Sequence, residues 1–86
     1  MVDKLGTKQM IGKIIVSEQT GRRFGVVGDV SFIAESGELM NIVLTEPTRA
    51  VSDLGLNEDD NGRLMIPFTA VKSVGDFVII SEKDVV

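Results

Sequence analysis

The feature that most constrains this chain is the run Phe24-Gly25-Val26-Val27-Gly28-Asp29-Val30-Ser31-Phe32-Ile33. Taken at every second residue, Phe24, Val26, Gly28, Val30 and Phe32 make a face that is apolar or glycine throughout. The other face, Gly25, Val27, Asp29, Ser31 and Ile33, is mixed. A contrast with a period of two fits a half-buried β-strand, whose successive side chains point to opposite sides of the sheet.

The remaining apolar runs are also of strand length and are separated by polar, glycine-bearing turns. Gly12 to Ser17 is β-branched and stops at Glu18-Gln19-Thr20-Gly21. Glu35-Ser36-Gly37-Glu38 forms the next turn, followed by Leu39 to Thr45, with Met40, Ile42 and Leu44 opposite Leu39, Asn41, Val43 and Thr45. So short a link predicts an antiparallel hairpin. Between Glu46 and Gly62 the alternation fails. Pro47 bars regular pairing, Thr48 can cap one or two helical turns over Thr48 to Leu54, and Gly55 ends them. Asn57 to Gly62 is an acidic turn. Leu64, Ile66 and Phe68 share a strand face that Pro67 terminates. Thr69 to Val71 suits a helical turn, and Lys72 to Asp76 a turn in which Gly75-Asp76 sits between two short strands, as in a tight hairpin; Phe77 to Ser81 is a last strand and Glu82 to Val86 a frayed tail. The expected fold is all-β. One domain over residues 1–86 forms a small barrel or rolled sheet of five to six antiparallel strands, with one or two short helical turns.

Composition narrows the function. The chain has no cysteine and no histidine, which removes disulfides, thiolate metal sites and the commonest proton shuttle near neutral pH. Its formal net charge of −4 runs against the basic surface that sequence-independent nucleic-acid binding needs. The only aromatic residues are phenylalanines, a poor supply of stacking platforms for RNA. Met1 to Met10 contains lysines but no apolar signal core, and no apolar run approaches the ~18–20 residues of a membrane helix. A cytoplasmic location is therefore expected.

The order of these pieces resembles the PRC-barrel family, which includes the cytoplasmic domain of the photosynthetic reaction-centre H subunit, the C-terminal domain of RimM and stand-alone archaeal proteins. The residues that carry the likeness are Met10-Ile11-Gly12-Lys13, Gly21-Arg22-Arg23-Phe24-Gly25-Val26-Val27-Gly28-Asp29-Val30 and Gly37-Glu38-Leu39. The most diagnostic piece is the closing Ile66-Pro67-Phe68-Thr69-Ala70-Val71-Lys72-Ser73-Val74-Gly75-Asp76. Gly25 and Gly28 would permit close backbone approach where the sheet rolls tightly. The segment Glu46 to Gly62 does not align to a particular subfamily. The chain's length is similar to the archaeal members, some of which, the CdpB-type proteins, are associated with the SepF–FtsZ cell-division machinery. The resemblance thus implies an adaptor with protein partners, those of cell division among them; the alternative is a role in RNA processing or ribosome maturation, as for the barrel of RimM.

Polar clusters offer less. Asn57, Asp59, Asn61 and Gly62 fall at calcium-loop positions, but the position that should supply a bidentate carboxylate is Phe68. A solvated turn is the better reading. Gly21, Gly25 and Gly28 lack the spacing of a phosphate loop. No base accompanies Asp29 and Ser31. No enzyme, metal site or cofactor is expected.

The apolar surplus is a stronger clue, because 43% of the residues are hydrophobic and a small barrel cannot hide them all. Once the inner faces are assigned, Val27, Ile33, Leu39, Val43, Met65 and either Val78 or Ile80 remain. These residues, with the basic pair Arg22 and Arg23 available to grip an acidic group, form the candidate interaction surface of an isologous homodimer or partner complex.

Overall fold

The computed structural model describes residues 10–32 and 39–85, with the side chains of Leu39 and Met40 outside that description. Among these residues the strands are β1 (Ile14–Ser17), β2 (Arg23–Phe32), β3 (Leu39–Thr45), β4 (Asn57–Glu58), β5 (Leu64–Pro67), β6 (Val71–Val74) and β7 (Phe77–Ile80). They form one seven-stranded sheet in the order β4-β5-β3-β2-β1-β7-β6. Three short 3-10 turns, Arg49–Asp53, Phe68–Ala70 and Glu82–Asp84, complete the described fold. The all-β class is as the alternation predicts.

The strand inventory differs from the five to six antiparallel strands of the sequence reading. β4 and β6 are added, and β1 pairs with β7 in parallel, Ile14 beside Phe77 and Ser17 beside Ile80. β6 and β7 form the tight hairpin expected at Gly75-Asp76, although β6 itself occupies residues that read locally as a turn. Its Lys72 and Ser73 are exposed, so pairing to β7 rather than burial makes the strand.

Two irregularities in β2 decide which residues face inward. Against β1 the register passes from Ile15↔Gly25 to Val16↔Arg23, which leaves Phe24 as an extra residue. Against β3 it passes from Val27↔Leu44 to Asp29↔Val43, which leaves Gly28 as another. Each bulge inserts a residue and resets the alternation. Phe24 and Val27 consequently enter the core, with Val30 packed against it. Strict alternation would have put Val26 inside and Val27 outside; the bulges reverse the two.

The core also takes Met10, Ile15, Ile42, Leu44, Leu54, Ile66, Ala70, Val78, Ile80 and Val85. Phe24 is fully buried, and burial of such a side chain contributes roughly 2–3 kcal/mol. The connection after β3 follows local chemistry. Thr48 caps the 3-10 turn by accepting a hydrogen bond from the Ala50 amide, and Gly55, at φ +61°, closes it. This packs Leu54 onto the core.

The C-terminal segment is a correction to the frayed tail. The Ser81 amide donates to the Ala70 carbonyl, Ser81 is fully buried, and Val85 sits in the core. The segment is held by polar contacts to the β1–β2 turn, partners far away in sequence.

Candidate protein-interaction surface

Cross-strand register arranges the outer face of β7, β1 and β2 in two rows. One runs Phe77, Ile14, Val26, Thr45; the other runs Ser73, Ile79, Val16, Arg23. The apolar members all come from β7, β1 and β2, and none of them is buried; Phe77 keeps 44% of its surface exposed. The inner rows of the same strands, Val78 with Ile15 and Ile80 with Ser17, are buried. A partly exposed apolar face therefore lies directly behind the core strands. Its β2 side holds a shallow groove lined by Ile14, Arg23, Gly25, Val26, Glu46 and Thr48.

The candidate residues of the sequence reading are dispersed. Val27 is 1% exposed and belongs to the core, because the Phe24 and Gly28 bulges turn it inward. Val78 and Ile80 are both buried, and their neighbours Phe77 and Ile79 take the outer face instead. Val43 is on the outer side of β3, flanked in register by Asp29 and Met65, but is itself 4% exposed. Met65 is half-buried. Ile33 and the side chain of Leu39 lie outside the described residues. Arg23 is exposed and borders the apolar face, as a surface residue should.

Arg22 is tied into the fold by its side chain. Its guanidinium donates to Asp53 Oδ2 at 2.7 Å, to Glu82 Oε1 at 2.9 Å and to Thr20 Oγ1 at 3.2 Å. It also lies 5.7 Å from the ring centre of Phe24. Asp53 and then Glu82 hold its pKa above the ordinary guanidinium value. Glu82 accepts from the Ser17 and Thr20 hydroxyls as well, and the Ser17 hydroxyl, Thr20 and Arg22 lower its pKa. Gln19 adds Nε2 to the Ser81 hydroxyl and accepts the Glu82 amide. The network clasps the C-terminal 3-10 turn to the β1–β2 turn.

The acidic turn is similarly self-contained. Asp59 Oδ1 accepts from the Asn61 and Arg63 amides, and Oδ2 from Arg63 Nε at 2.9 Å. The Arg63 backbone is the main cause of its lowered pKa. A carboxylate filled with N–H donors has the reverse of the arrangement a cation needs. Among the described residues no cluster of acidic side chains is placed to hold a metal ion.

The family model described as PRC-barrel domain matches residues 3–86. The chain belongs to the PRC-barrel family. A search of curated proteins gave no match. PRC-barrel domains are protein-interaction modules, a role that needs a surface rather than a pocket. In this PRC-barrel the β7–β1–β2 face is one partly exposed apolar surface, while Ile11, Phe32 and Val74 are exposed elsewhere; no helix among the described residues is long and apolar enough to cross a membrane. Sequence reasoning missed Ile14, Val16, Val26, Phe77 and Ile79 as a set. Gly25 and Gly28 were the available signal, since glycine inside a strand marks a bulge that breaks strict alternation.

Proposed function

We propose that this PRC-barrel is a non-enzymatic, homodimeric adaptor that docks proteins into a larger assembly in the cytoplasm. The observation that supports the reading best is the outer face of Phe77, Ile79, Ile14, Val16 and Val26, apolar and partly exposed among the described residues. The polar clusters support it from the other side. Arg22, Glu82 and Asp59 all direct hydrogen-bonding groups to the fold itself. The resemblance to CdpB-type archaeal proteins gives the setting, cell division with SepF and FtsZ as partners.

Calorimetric titration of the purified protein against SepF-type and FtsZ-type proteins, with a salt-titrated RNA as comparison, tests the reading. Saturable protein binding with little RNA affinity is expected. Strong, salt-sensitive RNA affinity without protein binding would replace the adaptor with a role similar to that of the RimM barrel.

A further inference from the structure

The apolar face is bordered by a balanced set of charges. Arg23 ends the second row, and Glu46 follows Thr45 at the end of the first. Lys13 precedes Ile14 with its ammonium on the Gly75 carbonyl, and Asp76 precedes Phe77. Two cations and two anions around this face cancel, on a chain whose net charge is −4. A second copy, also carrying −4, is repelled by the molecule as a whole and is best received through a face without net negative charge.

Glu46 supplies an independent observation. At φ +49° it is, among the described residues, the non-glycine in the left-handed region. Glycine adopts that backbone without steric cost, whereas a side chain there is strained. A carboxylate kept in such a position points to a task for it. Yet neither Glu46 nor Arg23 has an ion-pair partner among the described residues.

We infer that the β7–β1–β2 face is the seat of a second copy of this chain, with Phe77, Ile14 and Val26 lining it and Arg23 paired across the interface with Glu46. The inference rests on the homodimer reading above and gives that dimer its interface. A two-fold axis in the plane of the sheet and across its strands exchanges the two rows. Arg23 of one copy then faces the Val26–Thr45–Glu46 corner of its mate, and the same contact repeats by symmetry. The face spans only a few strands, so the interface is at the small end for specific association and the dimer is concentration-dependent.

Sedimentation equilibrium of the full chain and its variants tests this. The wild type is expected to show a monomer–dimer equilibrium, and Phe77→Asp to weaken it by about tenfold or more. Arg23→Glu and Glu46→Arg should each weaken the dimer by roughly tenfold, and the double variant should restore it to within about threefold. Glu46→Gly separates folding from assembly: thermal stability holds or rises while dimerisation weakens. A strictly monomeric wild type overturns the homodimer reading and this inference together. A wild-type dimer left intact by Phe77→Asp and Glu46→Gly overturns the face alone. Failure of the double charge reversal to restore dimerisation overturns the Arg23–Glu46 pairing.

Discussion

Gly25 shows how little room the sheet leaves where it bends. Its φ is +152°, and a Cβ there would lie 2.9 Å from the Thr45 carbonyl oxygen and 3.2 Å from that of Glu46. Both obstacles are backbone, so no side-chain rotation relieves them. Gly25→Ala is expected to lose about 2–3 kcal/mol in urea unfolding. Gly75→Ala is the control, because a Cβ at Gly75 meets nothing within 4 Å. It should stay within about 0.5 kcal/mol of the parent. Thr48 is the other residue with a defined local task. Its hydroxyl accepts from the Ala50 amide and donates to the Arg23 carbonyl, tying the 3-10 turn to the start of β2. Thr48→Ala removes both contacts and should cost about 1 kcal/mol by the same measurement.

At the scale of elements, β2 is where sequence and structure part company. Its existence, its antiparallel pairing with β3, the capped turn after Thr48 and the strand end at Pro67 are all legible, since each depends on neighbours in sequence. Its inward face is not. Bulges at Phe24 and Gly28 arise from pairing with two different strands, and pairing is not written in local alternation. The parallel β1–β7 pair and the Glu82 clasp are missed for the same reason, because they join residues from opposite ends of the chain. The reversal of Val26 and Val27 has a direct test. Val27→Asp places an unpaired carboxylate in the core and should abolish the cooperative unfolding transition. Val26→Asp, one residue away on the half-exposed face, should keep the fold, with circular dichroism and thermal melts reading the difference.

At the scale of the whole molecule, the clasp determines how the fold responds to acid. The parallel pairing of β1 and β7 brings the C-terminal segment against the β1–β2 turn, and Glu82 is the acceptor on which the contacts converge. Its pKa is lowered from an ordinary value of 4.5, chiefly by the Ser17 hydroxyl and then by Thr20 and Arg22. A carboxylate lowered on folding stabilises the native state fully above its unfolded pKa, and that contribution drains as pH falls through the folded value. Asp59, tied to the Arg63 backbone, and Asp84, bonded to Lys72, are lowered too and act in the same direction. Arg22 and Lys72 are raised, so their contributions persist through neutral and acidic pH and are lost only in strong alkali. Thermal midpoints should therefore hold near neutrality and fall as pH drops from about 5 toward 3. Glu82→Gln keeps the shape but cannot supply the charge. It should melt at a lower temperature than the parent at neutral pH and show a shallower decline in acid, so that the two curves converge. Parallel curves across that range would mean that the Glu82 charge contributes nothing to holding the C-terminal turn.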